Sequence, residues 1–83
     1  MWVGSDIITP AQCRAARALI NMKQSTLAEL TDLSRVTINK FECAKMKPTR
    51  ERLIAIRAAL EVEGVIFLGQ DAHGPGVRLR DRQ

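Results

Sequence analysis

Eighty-three residues make one small domain with a limited core and only marginal stability of its own. Composition is 46% hydrophobic and 27% charged, with one Trp, two Phe and no Tyr, a balance dominated by Ala, Leu and Ile that favours helices over a sheet. No apolar run approaches the roughly 18 residues of a membrane span, and MWVGSD has no positive segment ahead of an apolar one, so membrane and secretory classes are set aside and a cytoplasmic protein is expected.

Residues 1–8 read as a short N-terminal tail. Thr9-Pro10-Ala11-Gln12 then opens a helix: Thr9 can cap, Pro10 suits the first helical position, and Gln12 completes a capping box. Cys13, Ala16 and Ile20 mark its buried face, with Leu19 beside it, over about residues 10–20. A second helix is expected from Gln24 to Thr31, with Leu27, Ala28 and Leu30 inward. Asp32-Leu33 makes the turn, and Ser34 caps a third helix at about 35–43 with Ile38 and Phe41 inward. Lys45–Pro48 forms a loop, because Pro48 disfavours helix at Lys47. Thr49 caps a fourth helix at about 50–61 with a stripe of Leu53, Ile56 and Leu60. Gly64 ends that helix. The β-rich run Val65–Leu68, the turn-rich GQDAHGPG and the alternating Val77-Arg78-Leu79 predict a β-hairpin. Two such short strands are marginal alone and must pair across a dimer or pack on the helices. Residues 81–83 form a polar tail.

The net charge of +4 is not evenly spread. Arg35, Lys40, Lys45, Lys47, Arg50, Arg52 and Arg57 face only Glu42 and Glu51 between residues 35 and 57, so this block carries all the excess positive charge. A concentrated basic block suits a polyanion, since neutralised phosphates release counterions. Catalytic and metal chemistry find little support. His73 is the sole histidine and sits in a Gly-rich turn, and Cys13 and Cys43 lie in no metal-ligand pair. The two cysteines read as small buried apolar residues, with a disulfide or redox pair as the alternative. The GPG at 74–76 follows no strand-to-helix phosphate motif and reads as turn chemistry. No enzyme, cofactor or metal is expected.

Two helices joined by about three residues must cross steeply. With Ile38 and Phe41 packed inward, the third helix leaves Arg35, Val36, Thr37, Asn39 and Lys40 uncommitted. A helix projecting its N-terminal half from a small body fits the major groove, where base edges are distinguishable.

On these residues the chain resembles the Cro/lambda-repressor-like (XRE) helix-turn-helix family. The matching features are Gln24 at the start of helix 2, Leu27-Ala28-Glu29, Leu33-Ser34-Arg35, Thr37-Ile38 and Phe41-Glu42, followed by the basic loop and the apolar helix 4. The resemblance covers about residues 9–61, and the tail resembles short bacterial or phage regulators carrying this domain and little else. It implies a mainly α fold of four to five short helices of the lambda-repressor-like DNA-binding type with a C-terminal β-hairpin: a helix-turn-helix domain at 9–63 and a hairpin at 64–80 as candidate dimerisation element.

By the same resemblance, Arg35, Val36, Asn39, Lys40 and Gln24 would read bases, and Ser34, Thr37, Lys45, Lys47 and Arg50 would hold phosphates. Arg17 and Glu42 would form a structural ion pair. Val65, Ile66, Phe67, Leu68, Val77 and Leu79 are the candidate dimer contacts. Side-chain chemistry adds that Arg35 suits guanine, Asn39 adenine and Val36 a thymine methyl. The implied function is a sequence-specific transcriptional regulator. It would act as a homodimer on double-stranded DNA, with the helix 34–43 in the major groove of an inverted-repeat operator. The alternative is an antitoxin or antiactivator that grips a protein partner and binds DNA secondarily. Three positions depart from the family pattern. Lys23 stands where a Ser or Thr cap is usual, so Asn21 is expected to cap a slightly earlier start. Asp32 and Ala44 stand where Gly is usual; Asp32 is expected to be left-handed and the end of helix 3 to differ.

Overall fold

The computed structural model describes residues 7–69 and 74–80. The expectations for residues 1–6, for His73 and the hairpin tip at 70–73, and for the tail at 81–83 lie outside the described residues. Four helices precede two strands: α1 (Pro10–Leu19), α2 (Gln24–Thr31), α3 (Arg35–Glu42), α4 (Arg50–Val62), β1 (Val65–Leu68) and β2 (Gly76–Leu79). The fold is mainly helical, and the strands pair antiparallel with Val65 opposite Leu79 and Phe67 opposite Val77.

Local chemistry explains the boundaries. Thr9 Oγ1 accepts from the Gln12 N–H at 3.0 Å while Gln12 Oε1 accepts from the Thr9 N–H at 2.9 Å, a reciprocal capping box. Ser34 and Thr49 cap α3 and α4 in the simpler way, accepting from the N–H of Thr37 and Arg52. The start of α2 differs from expectation: Lys23 is its N-cap without a side-chain hydrogen bond, and Asn21 caps nothing. Asn21 is left-handed at φ 55° and terminates α1 instead.

The core lies where the helices converge. Leu27, Ile38, Phe41, Leu53, Ile56 and Leu60 are closed off from solvent. Two readings of the sequence need correction here. Ile7 and Ile8, assigned to a tail, are buried, Ile8 completely, and Arg57 donates a 2.9 Å hydrogen bond to the Ile7 carbonyl that ties the segment down. Leu30 is 52% exposed rather than inward. On a helix of 3.6 residues per turn, Leu27, Ala28 and Thr31 define one arc, and Leu30 falls outside it.

The hairpin packs on the helical body. Gln12 Nε2 donates to the carbonyls of Leu68 (3.1 Å) and Gly76 (2.9 Å), clamping both strand ends to α1. The Arg57 guanidinium lies over the Phe67 ring, 5.3 Å from its centroid. This packing divides the six expected dimer contacts by face. Val65 (2% exposed) and Phe67 (8%) belong to the core, and Val77 packs against it. Strand side chains alternate between faces, so Val65 and Phe67 are removed from any intermolecular role, while Ile66 and Leu68 point the other way. Among the described residues, no helix is long and apolar enough to cross a membrane.

Candidate nucleic-acid interface

The turn between α2 and α3 fixes the site. Asp32 is left-handed (φ 59°, ψ 32°), and the Leu33 N–H reaches back to the Ala28 carbonyl at 3.0 Å. Ala28, 6% exposed, lets the helices approach, and Leu33 packs against the core at the corner. The Ser34 hydroxyl accepts from the Thr37 N–H (3.0 Å) and donates to Thr37 Oγ1 (2.9 Å), so both hydroxyls meet at the amino end of α3.

Residues three and four apart share a helix face, and α3 divides accordingly. Ile38, Phe41 and Glu42 are buried. Arg35, Val36, Asn39 and Lys40 are exposed, with Val36 at 56%. An apolar side chain held that far into solvent has no packing role inside the chain. The first turn of α3 contains no acidic residue, so its positive amino end is uncompensated and favours phosphate. Lys45, Lys47 and Arg50 are exposed just beyond α3, and the buried Pro48 anchors their loop. The structure therefore brings the expected base-facing and phosphate-facing residues of α3 and its following loop to neighbouring surface. The hairpin residues form no part of it.

Glu42, on the inner face of α3, is 2% exposed. Arg17 grips it with two bonds of 2.6 Å, Nε to Oε2 and Nη2 to Oε1. Gln24 Nε2 donates to Oε1 at 3.0 Å and Cys13 Sγ to Oε2 at 3.1 Å. Arg14 Nη1 donates to the Glu42 carbonyl, and Arg17 Nη1 to the Met22 carbonyl at 2.9 Å. One carboxylate thus joins α1, α2 and α3. Burial pushes its pKa up, but the bonds from Arg17, Gln24 and Cys13 outweigh burial and hold it below the ordinary carboxylate value. Hydrogen bonding to Glu42 raises Arg17. Burial, reinforced by the neighbouring carboxylate, pushes the Cys13 thiol far up, so it stays protonated.

Gln24 also faces outward. Its Oε1 lies 3.5 Å from Asn39 Nδ2, at the outer limit of hydrogen bonding. The links of Cys13 and Gln24 to Glu42 were not foreseen from the sequence. Cys43 is exposed, contrary to expectation, while Cys13 is buried, and both thiols are free. Among the described residues, no group of three or more His, Cys, Asp or Glu side chains could hold a metal ion.

A helix-turn-helix family model matches residues 14–67 of the chain. The HTH-type transcriptional regulator PrtR of Pseudomonas aeruginosa is 46% identical over 55 residues, which make up 66% of this chain and 21% of that protein. The chain spans about a fifth of the length of that relative.

Proposed function

The chain belongs to the helix-turn-helix family of the XRE type, and from that premise we propose that it is a sequence-specific DNA-binding transcriptional regulator. The observation that carries the reading is the outer face of α3, where Arg35, Val36, Asn39 and Lys40 stand exposed beside a basic loop. In this reading α3 enters the major groove. Arg35 makes a bidentate contact to guanine, Asn39 pairs with adenine, Val36 meets a thymine methyl and Lys40 reaches a neighbouring base. Gln24 supports this edge from the start of α2. Phosphates are held by Ser34 and Thr37 at the amino end of α3 and by Lys45, Lys47 and Arg50.

Two copies act on an inverted repeat, with half-site centres about 34–36 Å apart. Of the hairpin residues first considered for the contact between copies, Ile66 and Leu68 remain candidates, since Val65 and Phe67 are enclosed within one chain and Val77 and Leu79, directly opposite them, share that inner face. The test is selection of bound duplexes from a random library by the purified chain. An enriched palindrome with half-sites one helical turn apart supports the whole reading. An enriched single half-site supports sequence-specific binding without the dimer. Absence of any enriched sequence refutes both.

A further inference from the structure

The donor and acceptor sense of the recognition surface is set from inside the protein. A carboxylate can only accept hydrogen bonds. Glu42 Oε1 accepts from Arg17 Nη2 and from Gln24 Nε2, so the ionised Glu42 permits one sense of the Gln24 amide: nitrogen inward, oxygen outward. That oxygen faces Asn39 Nδ2 at 3.5 Å. Asn39, having turned one N–H toward Gln24, offers the groove its Oδ1 and its remaining N–H, an acceptor beside a donor. Adenine presents the complement, a donor at N6 and an acceptor at N7, whereas guanine presents two acceptors. Were Gln24 reversed, its outward nitrogen would require the oxygen of Asn39. Asn39 would then show its N–H where its oxygen had stood, so that donor faces donor at adenine N6 and acceptor faces acceptor at N7, and the pairing with adenine is lost.

We propose that Glu42 is a positioning residue for base recognition, holding Asn39 through Gln24 in the sense that accepts adenine and rejects guanine. This rests on the reading of α3 as the helix that enters the major groove. Glu42 touches no base itself. It acts by allowing one orientation of an amide that would otherwise have two.

The experiment measures binding of the full chain to single-base variants of its selected duplex. The position concerned is the one whose preference Asn39→Ala abolishes. There the wild type favours adenine over guanine by about 5- to 150-fold, the range of one good bidentate contact. Glu42→Gln, whose amide can donate to Gln24 as well as accept from it, brings that preference toward parity. Preferences at other positions and the salt slope on random DNA stay as in the wild type. Gln24→Met, which cuts the link without touching the ion pair, gives the same relaxation at the same position, and Glu42→Gln adds nothing to it. Ile56→Val, a core change on α4, lowers the melting temperature and leaves the preference intact. A wild-type adenine preference in Glu42→Gln overturns the proposal, as does one in Gln24→Met should the first variant fail to fold, and as does relaxation spread evenly over all positions. A wild-type chain without preference at any position removes the reading of α3 itself, a result distinct from these.

Discussion

Replacing Ala44 by glycine is expected to stabilise the fold. Three of the four helices end alike. In α1, the N–H of Met22 reaches the Arg17 carbonyl (2.9 Å) and that of Asn21 the Ala18 carbonyl (3.3 Å). In α2, Leu33 reaches Ala28 (3.0 Å) and Asp32 reaches Glu29 (3.4 Å); in α3, Lys45 reaches Lys40 (2.8 Å) and Ala44 reaches Phe41 (2.9 Å). Each is a Schellman ending, which places the residue after the C-cap in the left-handed region. Asn21, Asp32 and Ala44 accordingly have φ of 55°, 59° and 61°, and none is glycine. A Cβ in that region costs roughly 1–2 kcal/mol. Asn and Asp relieve part of this through local hydrogen bonds, which alanine cannot form. Against the gain stands the greater freedom of an unfolded glycine, about 0.4–1 kcal/mol. Ala44 is exposed, so deleting its methyl group removes little burial. The net is a gain of about 0.5–1 kcal/mol. At roughly 4–8 °C per kcal/mol for a domain of this size, the melting temperature should rise by about 2–8 °C. Thermal melts followed by circular dichroism, with urea titrations to check that the m-value is unchanged, read this directly. Asp32→Gly should gain less and Asn21→Gly almost nothing. An Ala44→Gly variant melting at or below the wild type, or an Asn21→Gly gain as large, would refute the reasoning.

Arg35→Ala should reduce binding to the selected site by about 1–3 kcal/mol and relax preference at one base pair, while random DNA is bound nearly as before; equal losses on both would deny Arg35 a base-reading role. Lys45→Ala should weaken binding to all sequences and lower the salt slope by about 0.9, and an unchanged slope in fluorescence anisotropy titrations would remove the phosphate contact. Glu42 titrates lower folded than unfolded, so its stabilising effect is complete above the ordinary carboxyl pKa of about 4.3 and disappears as pH falls through the depressed folded value. The deficit of Glu42→Gln in urea melts should therefore be largest near neutrality and shrink in acid; a deficit independent of pH would contradict this. Cys13 works in the opposite direction. Its raised pKa contributes stability below the ordinary thiol value of about 8.5, lost above it by up to roughly 1.4 kcal/mol per pH unit. Cys13→Ala should flatten the alkaline limb of the stability curve, and an unaltered limb would count against it.

The fold was legible where local chemistry and periodicity agree. Pro10 after Thr9, Ser34 before α3 and Thr49 before α4 each place a helix start to within a residue, because a cap is a contact between sequence neighbours. The misplacements occurred where the deciding contact is remote. Ile7 and Ile8 precede any periodic segment, and the Arg57 bond to the Ile7 carbonyl comes from 50 residues away. Asn21 carries both tendencies in its sequence, N-cap and left-handed terminator, and the ending of α1 captured it first. Val65 and Phe67 carry the same alternation whether they face a second copy or their own helices. What places them on the helices is the double clamp of Gln12 and the packing of Arg57 on Phe67.

The candidate site was legible by subtraction. Once Ile38 and Phe41 are assigned inward, residues 35, 36, 37, 39 and 40 are what α3 has left over, and no tertiary knowledge is needed to find them, though it takes the structure to show Thr37 half-buried and bonded to Ser34. The set of partners around Glu42 is a different matter. A carboxylate four residues after Ile38 lies within the inward arc of α3, and a buried carboxylate must find donors. That requirement can be read from the sequence, and the family resemblance names Arg17 as one donor, but side-chain chemistry alone does not choose it and gives no sign of Gln24 or Cys13. Arg14 and Arg17 lie one turn apart on α1 and are chemically equivalent, yet Arg17 takes the carboxylate and Arg14 the main-chain carbonyl. Arg14 is exposed and Arg17 half-buried, so Arg17 stands nearer the enclosed carboxylate. The buried Cys13 meets one oxygen while the Gln24 amide, from α2, meets the other. The outward residues therefore state which bases could be read, and the inward carboxylate selects among the hydrogen-bonding patterns that those residues could present.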